Sequence, residues 1–218
     1  HLETLTQTGA SSALLCCRHA SGEKRWWRVD SVRYTDDRFL EFAKDVTAQK
    51  EAEEKLTYLS YHDQLTGVYN RRFFEEELHR LDTPRNLPIT LVMGDINGLK
   101  LVNDSFGHPV GDQLLQKAAE AFHRCCRADD IIARLGGDEF ALILPHTDTV
   151  AASGVITRIL EWIAKIRVSN IELSVSFGCE TKTGPDQIMA EVLANAENQM
   201  YRRKLSERSS VKSKTVDV

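Results

Sequence analysis

Three acidic residues stand where carboxylates could meet a cation. Asp95 closes the apolar run that starts at Ile89, and Asp138 and Glu139 follow the pair Gly136-Gly137. An apolar run without interruption reads as a strand buried on both faces. Ile131 to Arg134 and Glu139 to Leu144 read as two further strands, with the glycine pair making them a hairpin. A carboxylate at a strand end, facing carboxylates at the turn of a neighbouring hairpin, can hold Mg²⁺ or Mn²⁺. Magnesium wants oxygen ligands and usually takes one or two carboxylates plus substrate phosphates. The glycines permit a tight turn and let a ligand approach the backbone closely. Taken alone, the same residues also fit an ordinary Gly-Gly hairpin followed by solvated acids.

The elements that must position these groups follow from periodicity. Phe73 to Leu81 and Asp112 to Arg127 read as helices, the second carrying Leu114, Leu115, Ala118, Ala119 and Phe122 on one face. Val150 to Ile166 reads as a helix, Ile171 to Phe177 as a strand and Ile188 to Lys204 as a last helix, with a polar, frayed tail over residues 209–218. Helices between strands of a mostly antiparallel sheet predict an α+β fold for residues 62–208. Before it, Ala13 to Arg18, Lys24 to Tyr34 and Phe39 to Val46 read as strands broken at Ser21-Gly22 and Asp36-Asp37. Residues 1–46 are too few for a core of their own. Thr47 to Tyr61 reads as a charged helix, N-capped by Thr47, with a narrow stripe of Ala48, Ala52, Leu56 and Leu59. That stripe suits a solvated helix packed once on a neighbour, or a parallel coiled-coil connector between domains; the connector is the favoured reading.

Composition bounds the partners. The 218 residues carry 28 basic and 32 acidic side chains, a net charge of -4. That is no polycation for nucleic acid, so phosphates must be met by local cations, metal ions or backbone N–H groups. The five cysteines, Cys16, Cys17, Cys125, Cys126 and Cys179, form no C-x-x-C and suit free thiols in a reducing cytoplasm. No apolar run approaches the ~20 residues that span a bilayer, so no membrane contact is expected of this stretch. A chain that opens on His1 rather than Met is expected to be a piece of a longer protein.

Gly136-Gly137-Asp138-Glu139-Phe140 as a string arises by chance in such a chain on the order of once in ten thousand times. It resembles the signature of the GGDEF family of diguanylate cyclases. Asp63-Gln64-Leu65-Thr66-Gly67-Val68-Tyr69-Asn70-Arg71-Arg72 resembles that family's opening motif, and Asp95-Ile96-Asn97-Gly98-Leu99-Lys100-Leu101-Val102-Asn103-Asp104 its central one, with Phe106-Gly107-His108 and Gly111-Asp112 at the family's spacing. The resemblance implies a nucleotidyl-cyclase, palm-like sheet. It also implies condensation of two GTP into cyclic di-GMP at a homodimer interface, with Mg²⁺ or Mn²⁺ as cofactor. It makes Asp95 and Asp138 metal ligands together with the Ile96 carbonyl, and Glu139 the acid near the attacking 3′-hydroxyl. Asn103 and Asp112 become the guanine readers, Gly136 and Gly137 the backbone approach, and Lys100, Lys204 and Arg208 the triphosphate clamps. Asp accepts from the N1–H and amino group of guanine, and Asn can pair with its edge.

This sequence departs from the family at Asn97 (for Asp), Leu99 (for Phe), Met200, Arg203, Glu207 and Ser209. The alternative is therefore a catalytically weak module that receives GTP or cyclic di-GMP. Arg127-Ala128-Asp129-Asp130 is an R-x-x-D lying where the family carries its inhibitory product site, and Arg158, on the solvent side of its helix, would complete it. A charged helix end is the other account of the same residues. Gly22 to Trp27 and Asp45-Val46-Thr47 resemble the closing strands of a PAS sensor domain, which would regulate the cyclase.

Overall fold

The computed structural model describes residues 10–18, 20–35 and 38–214, with side chains described through residue 206. The expected turn at Asp36-Asp37 and the side chains of Glu207, Arg208 and Ser209 lie outside the described residues. The chain divides into two units, His1–Ser60 and Tyr61–Val218.

In the first unit β1 (Ala10–Arg18), β2 (Lys24–Arg33) and β3 (Phe39–Asp45) form an antiparallel sheet in that order. Leu14, Leu15, Val32, Phe39, Leu40 and Phe42 are all exposed. Trp26 and Trp27 are neighbours on β2 and face opposite sides of it. The sheet hands over to α1 (Thr47–Tyr61) through a knot of hydrogen bonds. Val46 N–H donates to the Trp26 carbonyl at 2.8 Å, Trp26 N–H to the Thr47 hydroxyl at 2.9 Å, and Thr47 N–H to Asp45 Oδ1 at 2.9 Å. The expected Thr47 cap is thus corrected: its oxygen is taken by β2, and Asp45 places the negative charge at the helix start. These bonds from Thr47 hold the Asp45 carboxyl below its usual range. No residue of α1 is buried, and Leu56 is 68% exposed.

In the second unit a five-stranded sheet runs in the order β10-β5-β7-β6-β4, from β4 (Tyr69–Asn70), β5 (Ile89–Ile96), β6 (Ile131–Gly136), β7 (Glu139–Leu144) and β10 (Val175–Lys182). All pairs are antiparallel except β4 with β6. Both faces are covered. Val92, Phe140, Leu142 and Phe177 enter one core with α3 (Leu99–Phe106), α4 (His108–Cys125) and α5 (Thr149–Ile163). Leu91, Met93, Ala141 and Ile143 enter the other with α2 (Arg71–Leu81) and α6 (Met189–Lys214). That is why β5 is apolar at successive positions and buried along its whole length.

Several boundaries differ from expectation. The strand expected over Ile171 to Phe177 is two elements. Ile171–Glu172 (β9) pairs back on Arg167–Val168 (β8), because Ser169 and Asn170 both turn at positive φ, and β10 then runs on to Lys182. The helix expected from Asp112 begins at His108, with Pro109 in its first turn. The last helix continues through Lys214, into part of the expected tail. Cys125, Cys126 and Cys179 are at least partly buried, which raises all three thiols; beside Asp130, Cys126 is pushed up to about 12. Cys16 and Cys17 are exposed on β1.

Candidate functional site

Sheet register gathers the acids. Asp95, next to last on β5, stands opposite Glu139 on β7 and Ser176 on β10. The hairpin turn is Gly137-Asp138, with φ of +149° at Gly136 and +53° at Gly137, values an L side chain rarely adopts. A Cβ built at either glycine would meet nothing within 4 Å, so the turn is open to a ligand's close approach. Ile96 N–H donates to the Asp138 carbonyl at 3.0 Å, which locks the end of β5 to the turn.

Asp95 is buried, and burial is the largest influence raising its carboxyl; the charges of Asp138 and Glu139 push the same way and Lys204 opposes them. Lys204, reaching over from α6, sets its Nζ 2.5 Å from Asp95 Oδ1 and 3.9 Å from Asp138 Oδ2. That ion pair is what offsets the burial of Asp95 Oδ1. Two carboxylates crowded together, with an ammonium already drawn between them, make a donor set that fits a hard divalent cation. Among the described residues no three His, Cys, Asp or Glu side chains converge as ligands. The arrangement is therefore two carboxylates with room for backbone and phosphate oxygens, and Glu139 faces Arg71, whose Nη2 is 4.0 Å from Oε2.

The turn is braced from outside by a residue the sequence reading gave no role. Arg134 donates to the Gly137 carbonyl from Nε at 3.1 Å and Nη2 at 2.7 Å, while Nη1 reaches Asp63 at 3.1 and 3.3 Å. Asp63 also accepts from the Thr66 N–H at 2.9 Å and hydroxyl at 2.6 Å. Burial works to raise the Asp63 carboxyl, but these bonds and the Arg134 charge outweigh it and hold it below its usual range. The two partners are 71 residues apart in sequence, and nothing local to either announces the contact.

Of the other expected site residues, Lys100 is exposed in the first turn of α3. Asn103 on α3 and Asp112 on α4 are half-buried, and Asn103 lies against the α4 backbone at Gly111, one residue before Asp112. Asn97, which replaces an expected acid, is held by β10 and the residue before it: its Nδ2 donates to Ser174 Oγ and its Oδ1 accepts from Ser176 Oγ, each at 3.0 Å.

Arg127 and Asp130 close a turn after α4, with Arg127 N–H donating to Asp130 Oδ2 at 2.7 Å. They line one cleft of about 290 Å³ with His62, Tyr69 and His123. Burial raises the Asp130 carboxyl despite the nearby Arg127 N–H and guanidinium charges. Arg158 lies on the exposed side of α5 as expected, yet its guanidinium folds back to donate to the Cys125 carbonyl at 3.1 Å, beside that turn.

Comparison with known proteins covers the second unit and, for the curated relatives, part of the first. The family profile described as "Diguanylate cyclase, GGDEF domain" matches residues 60–210. Diguanylate cyclase DgcM of Escherichia coli K12 is 32% identical over 184 residues, 82% of this chain and 44% of the relative. Probable diguanylate cyclase DgcC of the same strain is 34% identical over 197 residues, 87% of this chain and 53% of the relative. The chain thus spans about half the length of these curated relatives. Among solved structures, the coiled coil and GGDEF domain of DgcB from Caulobacter crescentus, in complex with c-di-GMP, matches with a TM-score of 0.67 at 25% identity, over 74% of this chain and 89% of that one.

Proposed function

The chain belongs to the GGDEF family of diguanylate cyclases, and from that membership we propose that it condenses two GTP into cyclic di-GMP as a homodimer. One observation carries the reading: Asp95 and Asp138, which share the Lys204 ammonium, stand at the end of β5 beside an open glycine turn, with Glu139 opposite Asp95 in the sheet register.

Each domain brings one GTP. Asp112 accepts from the guanine N1–H and amino group, and Asn103 pairs with the same edge. Gly136 and Gly137 let the triphosphate lie against the backbone, and Lys100, Lys204 and Arg208 neutralise it. Asp95, Asp138 and the Ile96 carbonyl would hold Mg²⁺ or Mn²⁺, which when bound would offset charge at the α-phosphate and lower the pKa of the attacking hydroxyl. Lys204 leaves Asp95 for the phosphates as the site fills. Glu139 takes the proton of the 3′-hydroxyl as its oxygen attacks the α-phosphorus of the facing GTP. The bond from that phosphorus to the bridging oxygen breaks, and pyrophosphate leaves. The same transfer in the other direction closes the ring and releases a second pyrophosphate. The α1 stripe pairs the two chains, and β1 to β3 act as a PAS-like regulator of that pairing.

Incubating the purified chain with GTP and Mg²⁺ should yield cyclic di-GMP and pyrophosphate. Glu139→Ala and Asp95→Ala should each abolish synthesis, at least about a hundredfold, while retaining the fold by circular dichroism. Full activity in either variant removes the site assignment. The contact of Lys204 with Asp95 favours one other reading, a module that binds GTP or cyclic di-GMP without turnover; binding with no product in the same assay selects it.

The cleft of Arg127 and Asp130, with Arg158 beside it, is read as a product-inhibition site. Its Arg side chains can stack on guanine or fork onto phosphate, and Asp130 can accept from a guanine edge. Cyclic di-GMP should inhibit noncompetitively with GTP, and Arg127→Ala should weaken that inhibition about tenfold or more. Equal binding and response in both proteins would reduce Arg127 to a helix end.

A further inference from the structure

We propose that Gly111 is a positioning residue for nucleobase selection, acting by the absence of a side chain. The inference rests on the reading of Asn103 and Asp112 as guanine readers and adds the element that fixes their relation. Gly111 is buried on α4, one residue before Asp112. A Cβ built on it would lie 2.0 Å from Asn103 Oδ1, 3.0 Å from its Cγ and 3.2 Å from Leu99 Cδ1. The first is shorter than real Cβ contacts essentially ever are, the other two are tighter than nine in ten of them, and all three atoms belong to α3. The carboxamide of Asn103 is therefore seated directly on the α4 backbone. Its Oδ1 is buried there with no hydrogen-bond partner among the described residues. Whichever amide atom occupies that position, the clash is the same.

A methyl at 111 leaves two ways out. Asn103 rotates away, or α3 and α4 separate. Either changes the relation between the Asn103 carboxamide and the Asp112 carboxylate, and a base read by both loses the simultaneous fit. A pocket selects strongly only when its polar groups meet the right edge and would be left unpaired by the wrong one. Adenine offers its own donors and acceptors in different places, so a displaced Asn103 costs GTP more than ATP.

The test is a double-mutant cycle on the whole chain, read by calorimetric binding of GTP and of ATP in Mg²⁺, with a steady-state rate alongside. Gly111→Ala should weaken GTP binding about tenfold or more and narrow the GTP-to-ATP preference by a similar factor. The loss should fall mainly on KM. Asn103→Ala should do the same. The combined variant should be no worse than Asn103→Ala alone, because the atom Gly111 accommodates has gone. If Gly111→Ala fails to fold while the combined variant folds, the clash with Asn103 is upheld. If neither folds, or if the combined variant loses further selectivity, Gly111 serves helix packing alone and the proposal is overturned. Gly111→Ala with unchanged selectivity, beside an Asn103→Ala that loses it, overturns the proposal and leaves the base reading standing. Unchanged selectivity in Asn103→Ala removes the base reading, and the proposal with it.

Discussion

At the scale of single residues, the proposed site leans on side chains outside it. Arg134 fixes the carbonyl of Gly137, whose next residue is Asp138, and Asp63 fixes Arg134. Asp63 titrates lower in the folded chain than unfolded. A carboxylate with a depressed folded value contributes stability that is fully present above the unfolded pKa, about 4. That contribution is lost as pH falls through the folded value. Arg134→Met removes one cause of the depression and two donors from the turn. At pH 7 it should lower stability by about 1–3 kcal/mol, the cost of losing hydrogen bonds to charged groups. As pH falls below about 4, its stability should fall less steeply than that of the wild type. Urea unfolding across that range checks both; a parallel pair of pH profiles would show that the Asp63–Arg134 pair contributes nothing. Synthesis should drop as well, since the turn loses its brace.

At the scale of elements, the contacts that align the site are those where backbone meets backbone. A Cβ on Gly178 of β10 would lie 2.2 Å from both the Ala196 carbonyl and the Met200 N, all backbone atoms of α6. The helix cannot yield there as a flexible side chain would. Lys204 is one turn beyond Met200, so the approach at Gly178 also sets the reach of Lys204 to Asp95. Gly178→Ala should therefore destabilise the domain by about 1–3 kcal/mol, an overpacking cost. It should also raise the KM for GTP, a pairing that denaturant titration and steady-state kinetics resolve. This separates what was legible in the sequence from what was not. Asp95, Asp138 and Glu139 were readable because a buried strand and a Gly-Gly hairpin announce themselves locally. The seats of Gly111 and Gly178 were not, since a glycine in a helix or strand pattern does not say which distant backbone approaches it. The Arg134 fork was hidden for the same reason. The β8–β9 turn was misread because Ser169 and Asn170 leave the apolar pattern of Ile171 to Phe177 unbroken.

At the scale of the whole molecule, the proposed reaction assigns each chain one guanine site and half of the chemistry. Specific activity should therefore rise with protein concentration and level off once the chains are paired. A dilution series followed by light scattering checks this; constant specific activity down to a proven monomer would sink the shared site. The apolar stripe of α1, exposed at Leu56 and Leu59, is the surface through which pairing is expected to be set. Leu56→Glu should move the midpoint of that dilution curve to concentrations about tenfold higher or more.

The cysteines divide the chain in a way that has a practical consequence. Alkylating reagents attack the thiolate, and burial suppresses that form at Cys125, Cys126 and Cys179. Cys16 and Cys17 stand exposed on adjacent positions of β1. A maleimide dye or spin label at neutral pH thus marks the β1 strand of the native protein and spares the catalytic unit. The unaltered sequence carries its own reporter pair, through which separations between the N-terminal sheets of paired chains become measurable without a single substitution.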